Sequence, residues 1–242
     1  MQKRAQVTVF IILGIIIIAV IVGIAFFYGD RIQNFTRPGV LDSSSLEPLK
    51  SFVASCMKES VSSDLELLKK NSGYFTKISS TVVYSGYEIN AIVDKGLSSP
   101  NKMNSKTGIE NEISRHVENE IADNCDLNDF NFEISKGDAK VVTEIRDSNV
   151  VVAMDYPLTV SKGGTSLTLN DFSLIVDDDF GKIYRAVNDI VNAEIEGEFD
   201  MNSYFLENKN VAVTRTDAEG GVIYRIVTEK EQDGFVFGVK NE

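Results

Sequence analysis

Hydrophobic and polar positions divide the chain into two unlike parts. From Ala5 to Gly29 there are 25 consecutive residues without a charge. Sixteen of the 21 residues at 7–27 are Ile, Leu, Val or Phe. As a helix this run spans about 37 Å, more than the ~30 Å of bilayer hydrocarbon. Its apolar side chains favour insertion by about 5–10 kcal/mol. Lipid offers the backbone no hydrogen-bond partner, so β-branched residues are forced into a helix there. Beyond residue 30 the pattern becomes that of a water-soluble α+β body. Leu49, Phe52, Val53, Cys56, Val61, Leu65 and Leu68 predict a helix starting near Pro48, with Ser45 as its cap and Gly73 closing it. Strand-like runs follow at 74–78 and 81–92, and then a polar loop at 94–106. Ile109, Ile113, Val117 and Ile121 recur every four residues and predict a helix over 107–124. Thr107 and Glu110 fit a capping box for it.

The period then shortens to two. Candidate strands are 130–135, 139–145, 150–155, 157–161 and 165–176, separated by short Gly, Asp and Ser turns. Short turns between successive strands imply antiparallel pairing. A third helix is predicted over 179–193, with Phe180, Ile183, Tyr184, Val187, Ile190 and Val191 inward. A short helix at 201–206 leads into a terminal meander at 210–216, 222–228 and 234–240. The expected fold class is therefore α+β: a transmembrane helix, then antiparallel sheet with packing helices.

Charge sharpens this division. Residues 30–242 hold all 36 Asp and Glu and 22 of the 24 Lys and Arg, a net charge of −14. Nucleic acid needs a basic face, so it is excluded as a partner. Lys3 and Arg4 are the only charges before the apolar run. Positive residues stay cytoplasmic, which places the body outside the cell and Phe26, Phe27 and Tyr28 at the outer interface. The expected organisation is a cytoplasmic stub at 1–6, a transmembrane helix at 7–29, a juxtamembrane linker at 30–46 and an extracellular domain at 47–242, in one lobe or two. Pro38-Gly39 breaks any helix leaving the membrane.

The stretch Lys3-Arg4-Ala5-Gln6-Val7-Thr8-Val9-Phe10 resembles an archaeal type IV prepilin signal. In that family a basic pair and a small residue precede the cleavage point, and the apolar helix follows it. The resemblance implies recognition of Lys3, Arg4 and Ala5 by a prepilin peptidase, with Gln6 as first mature residue. Thr8 stands where Ser is common; Phe10 departs from the Glu of many members. The resemblance covers about 25 residues. It implies two partners besides the lipid bilayer: the peptidase, and other pilin-like subunits packed through the helix.

Candidate chemistry is sparse. Cys56 and Cys125 are the only cysteines, and outside the cell an even count favours a disulfide over two buried thiols. Asn34-Phe35-Thr36 is the one glycosylation sequon, making Asn34 a candidate site close to the lipid surface. Asp177-Asp178-Asp179 precedes a predicted helix, where acids cap the terminus; a cation loop is the rival reading. Glu194, Glu196, Glu198 and Asp200 alternate along an expected extended segment as a solvated face. His116, the single histidine, lies off the apolar stripe and is read as solvated. No catalytic residue, cofactor or metal site is expected. The leading expectation is an anchored structural or adhesive surface protein, prepilin-like or pseudopilin-like. A permanently anchored ligand-binding module is the alternative, and a tethered hydrolase the third.

Overall fold

The computed structural model describes residues 41–197, 199–208, 210–230 and 234–241. The expected membrane helix, most of the linker, and residues 3–6 and 34 lie outside them. Among the described residues, no helix is long and apolar enough to cross a membrane.

Helix α1 (Glu47–Lys70) is the first long element. Leu49, Val53, Met57, Val61, Leu65 and Leu68 are each at most 1% exposed along it. Phe52, expected inward, is instead exposed and packs edge-on to Phe130; Met57 fills the stripe. The expected cap at Ser45 is replaced by Asp42. Its carboxylate accepts from Ser45 N at 2.8 Å and starts a 3₁₀ turn (Ser43–Leu46) that runs into α1. At the other end Ser72 and Gly73 adopt φ of 59° and 84°. Gly73 N–H reaches back to Leu68 O at 2.7 Å, a Schellman closure. The Ser72 hydroxyl donates to Val236 O at 2.7 Å, which helps hold a non-glycine residue in that conformation.

The expected strand at 74–78 is not one. Asn90 takes the place of a strand partner: its side chain accepts from Ile78 N and donates to the carbonyls of Asn71 and Thr76. The run at 81–92 is a hairpin, β1 (Thr81–Tyr84) and β2 (Tyr87–Asp94). Ser85 and Gly86 both have positive φ at its turn, as a type I′ turn requires. β2 belongs to a five-stranded sheet with β7 (Ala212–Ala218), β8 (Gly221–Val227) and β9 (Phe235–Lys240), ordered β1-β2-β9-β8-β7. β9 lies parallel to β2, so this sheet is mixed and not wholly antiparallel as expected. Phe235, Phe237 and Val239 are buried, and a central strand needs partners on both edges. The β8 hairpin supplies only one. The sheet also curls, so that Val83 exchanges backbone hydrogen bonds with Glu219. Gly238 permits the curl: Val82 Cγ2 lies 2.5 Å from where a Cβ would stand.

The second sheet holds β3 (Glu133–Lys136), β4 (Lys140–Ile145), β5 (Val150–Lys162) and β6 (Thr165–Val176). β5 runs unbroken through Pro157, where two strands were expected. The register shifts between Asp155 and Leu158, so the missing proline N–H falls at an irregularity. β3 and β4 do not pair with each other. Both pair with β5, end to end along one of its edges, with β6 on the other.

That arrangement leaves the outer edge of β4 open, and helix α2 (Lys106–Asn124) covers it. Glu118 Oε1 accepts from Val141 N at 2.7 Å, Ser114 Oγ from Thr143 N at 3.0 Å, and Glu110 Oε1 from Ile145 N at 2.9 Å. Four helical residues rise about 6 Å and two strand residues about 6.6 Å, so side chains spaced by four meet amides spaced by two. Glu110 thus caps a strand edge. The expected capping box is absent, and Ser105 caps α2 by accepting from Gly108 N. The apolar stripe of α2 is buried as expected.

Helix α3 (Phe180–Glu196) and the short helix α4 (Met201–Glu207) complete the fold. One core cluster contains residues of both sheets and of α1, α2 and α3. The chain is α+β, with one mixed and one antiparallel sheet.

Replacing Glu118 by Ala leaves the Val141 amide without its acceptor beside a covered edge. Urea unfolding is expected to show a loss of about 1–3 kcal/mol. Glu118→Gln keeps a carbonyl acceptor and should lose less than half of that.

Candidate functional site

Helices α1 and α2 run antiparallel and are tied at two levels. Cys56 and Cys125 stand at disulfide distance, with Cα atoms 6.0 Å apart. Two turns further along α1, Asp64 Oδ1 lies 2.7 Å from His116 Nδ1. Between these ties the helices part to form a cleft of about 370 Å³.

Helical spacing places the lining. On α1, Cys56, Ser60 and Asp64 follow one another at intervals of four, with Glu59 and Ser63 beside them. On α2, His116, Glu120 and Asn124 repeat at the same interval. His116 and Glu120 each stand one position before a residue of the buried stripe, Val117 and Ile121. Ile121 and the two sulfurs supply the apolar part of the lining. None of the lining residues is a Lys or Arg.

Asp64 is the unusual group. It is 1% exposed, and its Oδ2 has no hydrogen-bond partner among the described residues; nor has the buried Ser60 Oγ. Burial pushes its carboxyl up to about 6, against the opposing pull of His116 and with a further push from Glu120. The expectation that His116 is a solvated residue needs correction. Its side chain is 43% exposed, but Nδ1 is buried against Asp64 and the ring packs on Phe75 at 5.1 Å. The i+4 series of Ser60 with Asp64, and of His116 with Glu120, was legible as two polar stripes. That the stripes face each other was not.

The other candidate acids are engaged locally. Asp178, one residue before the N-cap Asp179, accepts through Oδ1 from Phe180 N, the first amide of α3, at 2.8 Å, while Oδ2 meets the buried Lys69 at 2.6 Å. Asp179 pairs with Lys182, and Asp177 with Lys230. Glu194 lies in α3 and not in an extended segment. It is buried, accepting from the Tyr224 hydroxyl and from Lys95 Nζ at 2.7 Å. Burial and this carboxylate push the Tyr224 hydroxyl well up. Asp200 caps α4 by accepting from Asn202 N and Ser203 N. Glu198 lies outside the described residues. Among those described, no three His, Cys, Asp or Glu side chains are grouped to hold a metal.

Chemically, the α1–α2 cleft is a small cavity walled by carboxylates, with one acceptor atom unused. Comparison with family models, curated proteins and solved structures finds no match to this chain.

Two outcomes are expected. The folded state holds the Asp64 proton more tightly than the unfolded chain does. The stability Asp64 contributes is therefore present at acid pH and is lost as pH rises from about 4 through about 6. Asp64→Asn should remove that decline and raise stability at pH 7 relative to wild type; a variant that keeps the wild-type slope would refute the assignment. Intact protein should also weigh two hydrogens less before reduction than after it. Reduction should cost about 4 kcal/mol in the chain-entropy account of a loop this long.

Proposed function

We propose that this chain is a single-pass cell-surface protein with a prepilin-like N-terminus, anchored by residues 7–29 with the stub inside and the α+β body outside. The body serves a structural or adhesive role. The observation that carries this is the order of segments in the sequence. A basic pair precedes 25 uncharged residues, a short linker follows, and then comes an acidic body of 196 residues. The Cys56–Cys125 pair supports an exported body, because disulfides persist in oxidising compartments. If the peptidase acts, Gln6 becomes the N-terminus and the helix joins other pilin-like subunits. Asn34 is then a modification site in the linker.

A second reading, a permanently anchored ligand-binding module, is favoured by one observation. The α1–α2 cleft keeps a buried carboxylate oxygen unpaired. Folding generally leaves few such atoms, and those that remain tend to mark sites.

N-terminal sequencing of the protein purified from native membranes is expected to begin at Gln6. An intact Met1 would overturn the prepilin-like reading and leave the anchored module. Protease added to whole cells should digest the body. A protected body would overturn the surface location for both readings.

A further inference from the structure

The cleft contains more chemical information than its acidity. Three carboxylates, Glu59, Asp64 and Glu120, line it with no lining Lys or Arg to neutralise them. Other deeply buried acids of the body have cationic partners: Asp178 has Lys69, and Glu194 has Lys95. Asp64 differs, since His116 faces only Oδ1 and Oδ2 is left buried and unpaired beside an equally unpaired Ser60 Oγ. Asp64 Oδ2 can accept from a donor, and the three acids favour a cationic one.

The geometry selects among cations. A divalent metal needs several ligands converging at about 2 Å, and among the described residues no such group exists. A guanidinium is best matched by a carboxylate offering both oxygens side by side. Here one oxygen is already faced by His116, so a single acceptor remains. A primary ammonium is a compact charge with three donors, and it suits one carboxylate oxygen plus one hydroxyl. About 370 Å³ admits a short alkyl chain, for which Ile121 and the sulfurs provide apolar contact.

We infer that the α1–α2 cleft binds a small primary alkylammonium ligand, its ammonium on Asp64 Oδ2 and Ser60 Oγ and its alkyl chain along Ile121 and the Cys56–Cys125 pair. This rests on the ligand-binding reading and names its ligand class. Glu59 on α1 and Glu120 on α2 supply the long-range attraction; a diamine places its second charge toward them. His116 positions Asp64 from the opposite side. Protonation of Asp64 removes the acceptor, so binding weakens below about pH 6.

The test is calorimetric titration of the full chain in detergent at pH 7.5 and low salt with 1,4-diaminobutane. Saturable binding is expected, weakened at least tenfold by Asp64→Asn and several-fold by Ser60→Ala. 1,4-Butanediol, which lacks the charge, should give no heat of binding. Equal binding of the diamine to wild type and to a folded Asp64→Asn variant would overturn the site. Butylguanidinium or zinc binding that depends on Asp64, without diamine binding, would overturn the ammonium class and leave the ligand-binding reading standing. Absence of Asp64-dependent binding by all of these probes would overturn both.

Discussion

Leu49, Val53, Met57, Val61, Leu65 and Leu68 give α1 a face that excludes water along its whole length, and no single neighbour covers it. β6 and β9, from different sheets, both pack on this helix, as does α2. Each fully buried aliphatic side chain favours folding by about 1.5–3 kcal/mol, so exposing this stripe would cost more than a typical domain's net stability. The two sheets are held together because each covers part of the same face. The Lys69–Asp178 pair then fixes the far end of α1 to the start of α3. Gly181 lets α3 approach the β4–β5 turn so closely that Arg146 O lies 2.2 Å from where a Cβ would stand.

Polar groups around that core are closely matched. Three acceptors on α2 replace a missing strand along β4, and Asn90 organises the loop after α1. Removing one partner of a buried ion pair is strongly destabilising, and Asp178 and Glu194 each keep a lysine close by. Against that background Asp64 is an exception with a location. It lies in the wall of a cleft and not inside the packed core. The same burial that raises its proton affinity strengthens any cation bound there, since both effects come from the low local dielectric.

Much of the fold was legible in the periodicity. The i+4 stripe of α2 and the apolar faces of α1 and α3 were readable because helix burial repeats at a fixed angle. The failures have a common cause. Residues 74–78 have strand composition, yet the side chain of a distant Asn90 satisfies their backbone. Glu110 has the spacing of a capping box, yet it accepts from Ile145, 35 residues away. Pro157 looked like a strand break, and a bulge absorbed it. His116 looked solvated because its own helix neighbours are charged; its partner comes from another helix.

The sequence by itself determined the segregation of charge, the positions of the body's helices and most strands. Composition and local period suffice for these, because hydrophobic burial depends on which side chains share a face. Tertiary structure alone decided that β9 lies parallel to β2, that β3 and β4 share an edge of β5, and that Asp64 meets His116 across a cleft. Those outcomes depend on which surfaces remain uncovered once the helices and hairpins have formed. Local pattern states that a face must be buried; it does not name the partner that buries it.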